Sequence, residues 1–96
     1  MEFEWDPQKA ARNWQKHKVH FSEAATVFAD PLSVTVVDPD HSAEEDRFII
    51  IGQSYRGRLL IVSFTERGER IRIISARKLT RAERKAYEEE IYERNG

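Results

Sequence analysis

RFIIIGQSYRGRLLIVSFTERGERIRIISARK, residues 47–78, is the stretch on which the fold turns. Two apolar runs, RFIIIGQ (47–53) and RLLIVSFT (58–65), are split by the turn-rich SYRG (54–57), which reads as a hairpin covered at least in part on both faces. ERGE (66–69) supplies the next turn. In RIRIISARK (70–78), Arg70 and Arg72 alternate with Ile71 and Ile73, the period of a strand with one face inward. Upstream, LSVTVVD (32–38) is β-branched and alternating, and a polar loop, PDHSAEED (39–46), joins it to the hairpin. These segments make a four-strand antiparallel meander, and FEW (3–5) offers a short fifth strand at an edge.

The flanking segments read as helices. Asp6 followed by Pro7 is a start signal for a helix running to about His17. Its apolar stripe is Ala10, Ala11 and Trp14, while Lys9, Asn13 and His17 fall at i, i+4 and i+8 with Lys16 beside them. VHFSEAATVFADP (19–31) gives a second short helix, with Ser22 as its cap and Pro31 as its stop. Thr80 and Glu83 form a capping box that opens a last helix from Arg81 to about Arg94. The expected fold is therefore α+β: an antiparallel, four- to five-stranded curved sheet with two N-terminal helices and one C-terminal helix, the helices on one face. The central strands are too apolar for their second face to lie wholly in water. Either the last helix or a partner covers part of it.

All 96 residues fit one domain, 1–96. With no cysteine there is neither a disulfide framework nor thiolate chemistry. No apolar run is long enough to span a bilayer, and the acidic MEFEWD opening is no signal peptide, so a cytoplasmic location without membrane contact is expected. The net charge of −1 conceals segregation. Residues 9–18 carry five cationic or protonatable positions and no acid, residues 38–46 carry five acids and no Lys or Arg, and residues 67–85 are basic again. The acidic loop and tail read as solvated faces. Arg77, Lys78, Arg81, Arg84 and Lys85 concentrate cationic charge at the junction of the last strand and last helix, where binding is expected.

Several chemistries fit poorly. His17 and His20 lack a third ligand or a cysteine at metal-binding spacing, no nucleophile elbow is present, and four scattered glycines build no phosphate loop. Neither a metal nor another cofactor is expected. Cleavage of an RNA phosphodiester fits better, since it needs a base for the 2′-OH, an acid for the leaving 5′-oxygen and fixed cations for the phosphate. Arg77 stands at a strand end with a fork suited to phosphate oxygens. Arg84 and Tyr87 are three apart on the last helix, and His17 is the residue type that exchanges a proton near neutrality. Lys16 could assist. Glu83 could also, but its capping role counts against it as a base. Trp5 and Trp14 read as core. A non-catalytic module whose basic surface docks nucleic acid or protein is the competing reading.

Three motifs in order carry a resemblance. FEWDPQKAARNWQKHKVHFSEA (3–24), EEDRFIIIG (44–52) and IRIISARKLTRAERKAYEE (71–89) resemble the signature segments of the BrnT family of bacterial toxins. The resemblance implies a RelE-like fold and a ribonuclease toxin of a type II toxin–antitoxin pair. It also implies inhibition by a small ribbon-helix-helix antitoxin of the BrnA type, through which operator DNA is bound indirectly. Carried over by position, the site comprises Lys9, Asn13, Lys16 and His17 from the first helix. Arg47, Ser75, Arg77, Glu83, Arg84 and Tyr87 come from the sheet and last helix. Residue type assigns catalysis to His17, Arg77, Arg84 and Tyr87. RNA binding falls to Lys9, Asn13, Lys16, Arg47, Ser75 and Lys78.

Overall fold

The computed structural model describes residues 1–40 and 46–95, so the middle of the acidic loop (41–45) lies outside the described residues. In chain order the described residues form β1 (Glu2–Glu4), α1 (Pro7–His17), α2 (Phe21–Thr26) with a 3₁₀ turn at Val27–Ala29, β2 (Val34–Val37), β3 (Arg47–Gln53), β4 (Leu59–Arg67), β5 (Arg70–Lys78) and α3 (Arg81–Asn95). The sheet order is β1-β5-β4-β3-β2.

The meander β2–β5 is antiparallel as expected, but β1 pairs parallel with β5, Phe3 opposite Ile71. The sheet is therefore mixed. The connection from β1 passes through α1, α2 and the whole meander before returning to β5, which lets the two strands run the same way. Glu2 and Glu4 then lie alongside Arg70 and Arg72, and Arg72 Nη1 donates to Glu4 Oε2 at 2.7 Å.

One face of the sheet carries the core. Ile50, Leu60, Val62, Phe64, Ile71, Ile73 and Ala76 pack with Val19, Phe21, Ala24 and Val27, so α2 is the main lid on this side. Ser22 does not cap that helix. It starts two residues earlier, with His20 as N-cap and the Glu23 and Ala24 N–H groups donating to His20 C=O, a start that carries Phe21 and Ala24 into the core. The last helix lies on the opposite face, with Tyr87 and Ile91 beside Gln53 and Leu59, which alternation points away from the core. The expectation of helices on one face is thus corrected, while the need for cover on the second face is met in part by α3. Among the described residues no helix is long and apolar enough to cross a membrane.

Two details set up the site. Between Ser63 and Phe64 the β4–β5 register shifts, so Ile74 is an extra residue in β5, a bulge that bends the strand and re-aims its neighbours. Beyond Arg72, β1 no longer covers the edge of β5, and Asn13 takes its place. Its amide donates to Ala76 C=O (2.9 Å) and to Val19 C=O (2.9 Å) and accepts from Ala76 N–H (3.0 Å). A side-chain amide thus imitates the next strand and fixes α1 to the sheet edge. The buried face of α1 runs Ala10, Asn13, His17, not the expected Ala10, Ala11, Trp14; Ala11 is exposed and Trp14 sits at the rim, stacked on His20.

Candidate nucleic-acid interface

Clamping α1 against the bulge in β5 makes a shallow groove at the sheet edge. Lys9, Arg12, Lys16 and His17 line one side, and Ile74 and Ser75 the other. Of the expected site residues, Lys9, Asn13, Lys16, His17 and Ser75 converge here. Asn13 is 6% exposed and its amide is engaged on backbone, so it builds the groove and does not face into it. Arg12 went unremarked in the sequence because a lone arginine on a helix carries no signal until the opposite wall is known.

His17 is half-buried, and its pKa is lowered, first by desolvation and then by the charges of Lys16 and Arg77. The ring is accordingly neutral at pH 7, the state of a proton acceptor.

Arg77 joins this groove to α3. Its Nη1 and Nη2 donate to Glu83 Oε1 (2.8 Å) and Oε2 (2.9 Å), and Nη1 also donates to Lys78 C=O at 3.2 Å. Glu83 in turn accepts from Thr80 N–H (2.9 Å), while its own N–H donates to Thr80 Oγ1, completing the capping box. The end of the guanidinium is therefore held, while Nε–H and the second hydrogen of Nη2 have no partner among the described residues. An arginine fork offers two bidentate edges. Here one is fixed to a carboxylate and the other is available to an anion.

The arginine and the capping contacts hold the Glu83 carboxyl at about 2, well below its ordinary 4.5. A depressed carboxyl contributes stability that is complete above the unfolded value and is lost as pH falls through the folded one. With Arg77 40% and Glu83 37% exposed, solvent screens the pair and the contribution is modest. Glu83→Gln is expected to flatten the fall of melting temperature between pH 4.5 and 2 relative to wild type, as read by thermal denaturation at a series of pH values.

The remaining expected residues lie elsewhere. Arg84 and Tyr87 line a second, larger groove of about 360 Å³ between α3 and the outer face of the sheet, and the Tyr87 hydroxyl donates to Leu32 C=O at 3.0 Å. Arg47 pairs with Thr65, at the far end of β3 from Ile51, whose partner Ile61 is opposite Arg77. Four residues of strand, roughly 13 Å, separate that rung from Arg77. Lys78 is exposed at the end of β5. The sequence thus grouped as one site what the structure divides between an edge groove, an outer groove and a distant rung.

An ion pair on a buried carboxylate was not anticipated; its arginine also donates to Lys18 C=O (3.2 Å) at the C-terminal end of α1. Glu23, 3% exposed, accepts from Ser54 Oγ (2.7 Å), from Arg58 Nε (2.9 Å) and from Arg58 Nη2, tying α2 to the β3–β4 turn. Thirty-five residues separate the partners, and no local pattern links them.

Comparison with known proteins agrees with this architecture. The family model described as the ribonuclease toxin BrnT of type II toxin–antitoxin systems matches residues 5–83. The crystal structure of the Brucella abortus ribonuclease toxin BrnT is similar at a TM-score of 0.63 and 25% identity, over 84% of this chain and 99% of that one. No curated protein sequence matches.

Proposed function

This chain belongs to the BrnT family, ribonuclease toxins of type II toxin–antitoxin systems, and from that premise we propose that it cuts RNA at the β5–α1 groove by metal-independent acid–base chemistry of the RelE-like kind. The observation that carries the reading is Arg77, fixed by Glu83 at one edge and open at the other, with its charge felt at a neutral imidazole. In this mechanism His17 takes the proton of the 2′-OH. The 2′-oxygen attacks the adjacent phosphorus as the P–O5′ bond breaks, leaving a 2′,3′-cyclic phosphate and a 5′-oxygen that takes its proton from water, while the open Nε–Nη2 edge of Arg77 neutralises charge building on the phosphoryl oxygens. Lys9, Arg12 and Lys16 hold the flanking backbone, and Ser75 stands within the same groove. Lys78 at the strand end extends the cationic track, and Arg47 serves a more distant part of the strand. Phosphate-led binding gives strong salt dependence and weak sequence preference.

The partner in this reading is a small ribbon-helix-helix antitoxin of the BrnA type, acting in the cytoplasm and carrying operator DNA to the complex only indirectly. Type II pairing supports an antitoxin; the apolar outer face beyond α3, with Val36 47% exposed on edge strand β2, offers it a surface.

The test is inducible expression in bacteria of wild type, His17→Ala and Arg77→Ala at matched levels, with purified protein assayed on RNA in excess EDTA. Growth arrest and RNA loss in wild type, relieved in both variants, and cleavage that persists in EDTA are the expected results. Arrest undiminished in both variants would remove the site assignment, and loss of cleavage in EDTA would remove metal independence.

A further inference from the structure

The groove beneath α3 is not needed for proton transfer or phosphate neutralisation, yet it is the larger of the two. Its walls are the Tyr87 ring and the side chains of Leu32 and Leu59, with Gln53 and Arg84 at the rim. The hydrogen bond from the Tyr87 hydroxyl to Leu32 C=O sets the ring in place. Gln53 spends one N–H on a long contact with Gly57 C=O (3.4 Å), leaving its side-chain carbonyl oxygen to accept. Arg84 is exposed and its guanidinium makes no ion pair or hydrogen bond among the described residues, although Glu88 stands one turn on. The other acid of the groove, Asp30, is occupied by the backbone N–H groups of Leu32 (2.9 Å) and Gln53 (2.7 Å).

The register places this groove beside the cleavage site. Arg77 is opposite Ile61, and Leu59 is two residues along the same strand on the same face, roughly 7 Å away. A fixed aromatic ring, apolar floor, amide edge and unpaired guanidinium, contiguous with a phosphate-binding arginine, match one chemical class. We propose that the α3 groove is a nucleotide-binding subsite, taking the base of the RNA residue next to the cut. The base lies against Tyr87 and Leu59, its edge meets the Gln53 amide, and its phosphate meets Arg84. This rests on the ribonuclease reading and gives Tyr87 and Arg84 substrate-holding in place of the catalytic roles assigned by residue type. The amide edge gives the enzyme a measure of base preference that phosphate contacts alone cannot supply.

The experiment titrates the wild-type chain with the four 5′-nucleoside monophosphates and with ribose 5-phosphate, following backbone amide resonances of Gln53, Leu59 and Tyr87. Monophosphates have no internucleotide bond, so the measurement is independent of cleavage. Saturable shifts with at least one nucleotide are expected, with affinity lost about tenfold or more in Tyr87→Ala and for ribose 5-phosphate, which lacks the base. Tyr87→Phe keeps the ring but loses the hydroxyl that sets it, and is expected to bind more weakly than wild type yet more tightly than Tyr87→Ala. Gln53→Ala, at an exposed strand end, is expected to level the preference among bases without unfolding α3. Absence of saturable shifts, equal binding of ribose 5-phosphate, or unchanged affinity in Tyr87→Ala would each overturn the subsite and leave the groove to a protein partner. Nucleotide binding in a chain that cleaves no RNA would instead overturn the ribonuclease reading and leave the groove standing.

Discussion

Arg77→Lys is expected to lose nearly as much RNA cleavage as Arg77→Ala, about 10²- to 10³-fold, the loss seen when one preorganised donor to a transition-state oxyanion is removed. Arg77 serves Glu83 with two parallel hydrogen bonds and keeps a second edge free. An ammonium is a point charge on a flexible stem and cannot satisfy a carboxylate bidentately while presenting a second pair of donors in a fixed direction. Stability should hardly move, because both partners are more than a third exposed and such pairs contribute about 1 kcal/mol or less. A fluorogenic RNA assay beside thermal denaturation separates the two effects. A lysine variant that cleaves at the wild-type rate would mean that the arginine supplies only charge and that a bidentate phosphate contact is not what accelerates cleavage.

Glu23→Ala is expected to produce the reverse pattern, a large loss of stability with the groove chemistry intact in whatever fraction stays folded. Removing the carboxylate leaves the Arg58 guanidinium with only the Lys18 C=O contact and the Ser54 hydroxyl proton without its acceptor, and breaking a buried pair by deleting one partner costs about 3–5 kcal/mol. Against a domain stability of about 5–15 kcal/mol, that is a fall in melting temperature of more than about 12 °C. The double variant Glu23→Met/Arg58→Leu should recover much of it, since the desolvation of two charges disappears with them. The hydrogen bonds from Arg58 foremost, then that from Ser54, hold the Glu23 carboxyl below its ordinary value despite burial. Stability from this pair is therefore lost as pH falls below 4.5 toward the depressed folded value. A wild-type-like melting temperature for Glu23→Ala would show that the hairpin turn is held by packing alone.

Elements whose cause is local could be read directly from the chain. Period-two alternation and the SYRG and ERGE turns specify β3, β4 and β5, since neighbouring strands joined by short turns have only one register that buries their apolar face. Asp6–Pro7 starts α1, and the Thr80–Glu83 box starts α3, because each cap is a contact within three residues. The cationic junction was legible for the same reason: Arg77, Lys78, Arg81, Arg84 and Lys85 are close along the chain whatever the fold. Only tertiary structure decided how those charges are used. The capping residue Glu83 proved to be the carboxylate that orients Arg77, and α3, settling on the outer face, drew Arg84 and Tyr87 away from His17. The parallel return of β1, the Asn13 clamp across 63 residues and the Glu23–Arg58 pair across 35 arise between segments distant in sequence. Such contacts form only after loop closure has been met by burial of the common core. A hydrogen-bonding side chain such as Asn13 has many possible partners along a chain, and it is the packed geometry that leaves it one.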